Sequence, residues 1–362
     1  MNRLGSWIVP WLFLLCTACS ATPGGLGGYK IAFVPSISGQ HGIFVMNSDT
    51  SNWKILIPDA NAQLRFASWS PDGKKIVFFT VRAQDADILK KYRMPYEYLL
   101  YVMDAAGSNQ KRLVDFPIID FAWAPDSRRL FLISAHEGSD RDSSEVLSAR
   151  INPLASIYVF DPQTGDTTRL TGSGRNCAAS WSPDGTHLAV SFGDAENGGI
   201  YVMSADGQHS DRLTDGSTTV DTRPIWSPDG KSVAYVAYPK GETSAGDGGV
   251  FVISADGTGK KRVTEEDVYY VRWSLDSTML LLQAVNGVRL IDRDGKKQVN
   301  LSAGLRNTKN SIFTPDGKGV MFCSNEQGAW NIYSVGLDGK GQKLLTGRTN
   351  SDNFCMSPLL AR

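Results

Sequence analysis

The sequence predicts an all-β protein: a seven-bladed β-propeller of four-stranded antiparallel sheets, closed by its C-terminal strand. Three observations predict it. A turn written Trp-Ser-Pro-Asp-Gly, or a close variant, recurs six times; a short apolar strand downstream recurs seven times; and a segment near the C-terminus supplies the strand that the first repeat lacks. Four strands per unit at a spacing of about 40 to 50 residues mark a propeller blade. Six or eight blades are the alternatives.

The chain opens with a different composition. Arg3 is the one charged side chain before an apolar run from Trp7 to Leu15, which gives way to Thr17 and Ala18 before Cys19. The run is shorter than the roughly 20 residues that span a bilayer, so residues 1–19 read as a secretory signal peptide. Ala18-Cys19-Ser20 resembles the lipobox at which bacterial lipoproteins are cut and acylated, with Cys16 standing where that motif carries Leu. Cys19 is the expected lipid attachment site; simple cleavage near Ala18 and an uncleaved anchor are the alternatives. Residues 20–28, small, polar and glycine-rich, read as a flexible linker, and residues 29–362 as the propeller.

The repeat units FASWSPDGKKIVFF, FAWAPDSRRLFLI, ASWSPDGTHLAVSF, PIWSPDGKSVAYV, VRWSLDSTMLLLQ and SIFTPDGKGVMFC align without gaps on Trp69, Trp123, Trp181, Trp226, Trp273 and Phe313, at intervals of 40 to 58 residues. Residues up to the aromatic form one strand. Pro then presets φ, Asp bonds nearby backbone and Gly accepts positive φ, so the chain reverses. An apolar run follows as the second strand, buried between blades. The third strand recurs as IFVMN, LLYVMD, SIYVFD, GIYVMS, VFVIS, VRLID and NIYSV, and a glycine hairpin leads to a short fourth. The chain enters the first unit at its second strand, Lys30 to Phe33. Asn353 to Pro358, with Met356 at the aromatic position, is expected to complete that unit and remove the exposed sheet edges.

The turn carboxylates Asp72, Asp126, Asp184, Asp229, Asp276 and Asp316 share one repeat position and read as structural. Function is expected where the repeat is broken, on the face shared by the loops between second and third strands and the connections between blades. An insertion between Thr80 and Tyr98 carries Arg82, Asp85, Asp87, Lys90, Lys91, Tyr92, Arg93, Tyr96 and Glu97. Another, Ser134 to Ala155, carries His136, Glu137, Asp140, Arg141 and Asp142, and Pro239 to Gly249 forms a third. They make a candidate binding rim, against the plainer reading of solvated loops. The starts of the inner strands add Arg65, Asp120, Arg175, Asn176, Asp221, Arg223, Tyr269, Tyr270, Lys309, Asn310 and Asp352, a polar channel mouth suited to an extended peptide, an anion or a metal.

The 37 basic and 37 acidic side chains cancel, so no long-range field gathers nucleic acid. Beyond the signal, Cys177, Cys323 and Cys355 are odd in number and widely spaced, which argues against a disulfide framework or a zinc site. Three semi-buried thiols are expected; a Cys323–Cys355 bridge near the ring closure stays open. G-x-S-x-G, phosphate-loop, H-E-x-x-H and mature C-x-x-C patterns are absent. Of four histidines only His41 and His136 fall toward the candidate mouth, while His187 and His209 belong to the opposite face.

The combined unit resembles the TolB-like, WD-like β-propeller repeat over nearly all of Tyr29 to Pro358. Such repeats occur in the periplasmic TolB component of envelope complexes, which binds proteins and peptides, and in prolyl-oligopeptidase-like peptidases. Oligogalacturonate lyases are similar and hold a metal through histidines in the propeller mouth. TolB's extra α/β domain and the peptidases' hydrolase domain are not expected here. Taken with the signal and Cys19, the resemblance leads to the expectation of an exported, lipid-anchored, monomeric scaffold that binds an envelope protein or peptide and faces the periplasm or the cell exterior, with no cofactor. A metal-dependent carbohydrate-active enzyme, with a divalent metal in the channel, and a ligand sensor are the alternatives.

Overall fold

Each Ser-Pro-Asp-Gly segment closes on itself through its own side chains. Ser70 Oγ donates to Asp72 Oδ1 at 2.6 Å and accepts the Lys75 amide at 2.9 Å, while the Gly73 amide donates to the Ser70 carbonyl at 2.8 Å. Gly73 sits at a φ of 67°, which glycine reaches without steric cost. The same hydroxyl-to-carboxylate bond recurs at Ser182–Asp184, Ser227–Asp229, Ser274–Asp276 and Thr314–Asp316. Burial opposes ionisation of Asp72, but bonds from Ser70 and the Lys74 amide outweigh it and hold the carboxyl below its usual range.

Where serine replaces the turn glycine, it links blades. Ser127 and Ser277 hold φ at 59° and 61°. Their hydroxyls accept the amides of Asp72 and Asp229 in the preceding blade, at 2.9 and 3.0 Å.

These turns organise seven antiparallel sheets in the computed structural model, which describes residues 30–33, 36–37, 40–58, 64–80, 82–92, 99–134, 155–172, 174, 178–192, 198–240, 248–305, 307–326, 328, 330–346 and 359–361. Blade 1 runs outward as Leu359–Ala361, Lys30–Phe33, Gln40–Asn47 and Lys54–Pro58, with Ser36–Ile37 also pairing to Gln40–Asn47. Blade 2 is Arg65–Trp69, Lys75–Thr80, Leu99–Asp104 and Lys111–Arg112. Blade 3 is Asp120–Trp123, Leu130–Ser134, Ser156–Phe160 and Thr167–Arg169. Blade 4 is Ala178–Trp181, His187–Phe192, Gly199–Ser204 and Ser210–Arg212. Blade 5 is Thr219–Trp226, Ser232–Pro239, Gly249–Ser254 and Lys261–Thr264. Blade 6 is Val268–Trp273, Met279–Ala284, Gly287–Asp292 and Gln298–Asn300. Blade 7 is Thr308–Phe313, Gly319–Ser324, Asn331–Gly336 and Lys343–Leu344.

The ring is closed by packing as well as by pairing. Seven buried apolar clusters occupy the seven junctions between successive blades, including the last, where Ile31, Phe44 and Met46 of blade 1 meet Met321, Cys323 and Ile332 of blade 7. The repeat aromatics lie in these junctions. Trp181 donates Nε1 to the Ala122 carbonyl of blade 3 at 3.3 Å, and Trp273 to Ile225 of blade 5 at 3.1 Å.

Two expectations are corrected. The closing strand is present, but Ile31 faces Leu360 as Ile76 faces Trp69 in blade 2. Leu360 therefore takes the aromatic position in place of Met356, and residues 353–358 lie outside the described residues. This strand has no Ser-Pro-Asp-Gly turn after it, so no local signal marks its register. Cys323 is disulfide-bonded rather than a free thiol, because an odd cysteine count conceals a bonded pair. Cys177 and Cys355, like residues 1–29 with Cys19, lie outside the described residues.

Candidate functional site

Departures from the repeat gather on one face of the ring, where inner strands begin and second strands end. Four of the inner strands carry a β-bulge near that end: register slips between Arg65 and Ala67, Thr222 and Ile225, Val268 and Tyr270, and Lys309 and Ile312. In three of them the inserted residue lies in the left-handed region, with φ of 34° at Phe66, 53° at Arg223 and 58° at Asn310. Such conformations cost non-glycine residues about 1 to 3 kcal/mol and concentrate at functional sites, where surrounding structure enforces them.

The bulged strands set the mouth residues in place. Arg223 is half-buried and donates Nη1 to the Tyr238 hydroxyl at 3.1 Å and to the Tyr269 carbonyl. Tyr238 in turn donates to the Val268 carbonyl at 3.1 Å. Tyr270 is buried and its hydroxyl accepts the Ser311 amide, while Arg272 Nε donates to the Ser311 carbonyl at 3.1 Å. Gln283 Nε2 reaches the Thr308 carbonyl at 2.9 Å. Side chains thus stitch blades 5, 6 and 7 together along the mouth. The Lys309 ammonium lies 3.6 Å from the centroid of the Trp330 ring, and burial pulls its amine down to about 8.

Two acids of the mouth, Asp120 and Asp221, are withdrawn from solvent. Asp120 is buried, accepts the Phe121 amide at 2.8 Å, and burial pushes its carboxyl up to about 8 against that bond. Asp221 is buried, takes the Thr219 hydroxyl at 2.6 Å on Oδ1, and leaves Oδ2 without a partner. The Tyr235 hydroxyl nearby is also buried and unpartnered. Arg175, Asp352 and the side chain of Arg65 fall outside the described residues.

Beside the mouth, the first insertion is built around a buried carboxylate. Asp85 is fully buried and accepts the Arg112 guanidinium at 2.8 Å, the Tyr101 hydroxyl at 2.9 Å and the Arg82 amide at 2.9 Å. The Arg82 guanidinium sits 4.3 Å over the Tyr101 ring. Burial, and then the Asp85 carboxylate, hold the Tyr101 phenol above its usual range against the Gln84 contact. This anchor starts a helix, α1 (Ala86–Tyr92), with Asp87 in its first turn and Lys90 and Lys91 in its last, the arrangement the helix dipole favours. Ile88 packs on the junction of blades 1 and 2, and Lys90 and Lys91 are exposed. Arg93, Tyr96, His136, Glu137, Asp140, Arg141 and the side chain of Tyr92 lie outside the described residues. Sequence reasoning placed Asp85 among the loop charges without distinguishing it as the anchor, and missed Trp330 and Gln283.

Among the described residues no group of three His, Cys, Asp or Glu side chains is gathered as a metal site. His187 begins the second strand of blade 4 and His209 immediately precedes its fourth, Ser210–Arg212, both on the opposite face.

A closed ring of seven four-stranded blades, distorted on one face, defines the class: an all-β propeller with an asymmetric mouth. Residues 88–358 match the family described as the TolB beta propeller domain, and the chain belongs to that family. It is 33% identical over 167 residues to a TolB homologue of Chlorobium chlorochromatii, covering 46% of this chain and 31% of that protein. It is 26% identical over 216 residues to the uncharacterized peptidase YuxL of Bacillus subtilis, covering 58% and 29%. The chain thus spans about a third of the length of these relatives. Oligogalacturonate lyase from Vibrio parahaemolyticus superposes with a TM-score of 0.65 at 16% identity, over 90% of this chain and 89% of that one, a likeness of fold alone.

Proposed function

We propose that this chain is a protein- or peptide-binding scaffold of the bacterial cell envelope, exported behind residues 1–19, anchored through Cys19, and binding its partner on the mouth face. The observation that carries this reading is the segregation of irregularity. On the opposite face five blades repeat the same self-bonded turn and left-handed residues such as Ser127 and Ser277 sit within tight turns, whereas left-handed residues inside strand bulges, Phe66, Arg223 and Asn310, and the Asp85-anchored helix fall on the mouth face. Stability alone asks for no such asymmetry. The disulfide at Cys323 accords with an oxidising compartment outside the cytoplasm, and the TolB-like family accords with an envelope role.

Affinity capture tests the reading. Envelope extracts passed over the purified full chain are expected to yield a defined partner, and its recovery falls when Lys90 and Lys91 are changed to Ala or Tyr269 to Ala. A partner set identical for wild type and these variants counts against the mouth face. Cys19→Ala is expected to abolish incorporation of labelled fatty acid; labelling that persists removes Cys19 from the account.

A further inference from the structure

Arg223 is the most constrained cation of the mouth. A bulge forces it to a φ of 53°, a costly conformation for a long side chain. Its guanidinium is then held by two neutral acceptors, the Tyr238 hydroxyl and the Tyr269 carbonyl, both through Nη1. The exposed Asp267 acts electrostatically on Tyr238, but among the described residues no carboxylate pairs with Arg223. A guanidinium has five N–H donors in a rigid fork, and among the described residues only Nη1 of this fork is given an acceptor. Lys309, two blades along the same wall, adds an ammonium seated on the Trp330 ring. The stitched wall of blades 5 to 7 fixes both positions.

Orienting a charge on neutral dipoles, and straining the backbone to do so, contributes little to folding and much to recognition. We infer that blades 5 to 7 form an anion-reading sector of the mouth, in which Arg223, seconded by Lys309, binds the carboxylates of an acidic, extended peptide segment. This rests on the proposed binding role and names the chemistry of its partner. It adds to the α1 rim of blade 2 a second recognition element on the inner strands of blades 5 to 7. A peptide fits better than a nucleic acid, because zero net charge provides no field to gather a polyanion.

The test is fluorescence anisotropy of the full chain with two fluorescein-labelled peptides of alternating Gly and Ser, one carrying Asp at three positions and the other Asn there. The Asp peptide is expected to bind about tenfold tighter, the value of one charge-assisted hydrogen-bond pair. Arg223→Gln reduces that ratio to near one, Lys309→Gln lowers it partly, and Lys74→Gln on the opposite face leaves it unchanged. Should Arg223→Gln melt early, Lys309→Gln carries the comparison. Equal binding of both peptides, or a preference that survives Arg223→Gln and Lys309→Gln alike, overturns the inference and leaves the binding role standing. Binding of neither peptide overturns it as well, and partner capture decides the binding role separately.

Discussion

The Asp85 carboxylate is fully buried and lies 2.8 Å from the Arg112 guanidinium, which also reaches Asp115 at 2.7 Å. This pair joins the insertion to the outermost strand of blade 2, so the display of α1 depends on one acid. Asp85→Ala leaves the Tyr101 hydroxyl and the Arg82 amide without their acceptor. Arg112 is partly exposed and keeps Asp115, so the loss is that of buried hydrogen bonds, about 1 to 3 kcal/mol, and urea denaturation is expected to read a loss of that order. Protease cleavage within the insertion should accelerate in parallel. Unchanged stability and unchanged cleavage would remove Asp85 as the anchor.

Asp120 predicts a pH dependence. Its folded carboxyl is pushed up to about 8 by burial, above an unfolded value of about 3.9. The native state therefore binds the extra proton between those values, and the contribution of this group to stability falls as pH rises from about 4 to about 8, then levels off. Asp120→Asn cannot ionise and loses that slope. Thermal melts across pH are expected to show the variant gaining on wild type toward pH 8, and parallel profiles contradict the assignment.

The repeat aromatics carry the ring. Trp181 is buried between blades 3 and 4 and bonded to Ala122, so Trp181→Ala is expected to cost about 3 to 5 kcal/mol in denaturant melts. A loss below about 1 kcal/mol would mean that this junction repacks freely.

Closure depends on three paired residues, Leu359 to Ala361 against Lys30 to Ala32. Removing residues 359–362 exposes the edge of the Lys30–Phe33 strand, an invitation to edge-to-edge association. Light scattering is expected to show aggregation and calorimetry an earlier transition. A truncated chain that stays monomeric and melts normally contradicts the clasp.

The blades are legible in the sequence because their chemistry is local: Ser70, Pro71, Asp72 and Gly73 make one turn from their own atoms, and repetition turns one correct reading into six. The terminal strand shows the limit, since Leu360 pairs at long range and carries no turn beside it. The candidate site is less legible still. Nothing local marks Phe66 or Arg223 as left-handed; the bulge arises from pairing with the second strand. Ten polar residues from Arg82 to Glu97 look alike in the sequence, and only the packing of Tyr101 and Arg112 selects Asp85 to turn inward.

The claim that the irregular face binds is tested most directly by site-specific photocrosslinking in intact cells. A benzophenone amino acid at Tyr269, on the mouth, is compared with one at Gln208, in an exposed hairpin of the opposite face. A discrete higher-mass adduct from position 269 and none from position 208 is the predicted result. Adducts from position 208 with none from position 269 would contradict the account.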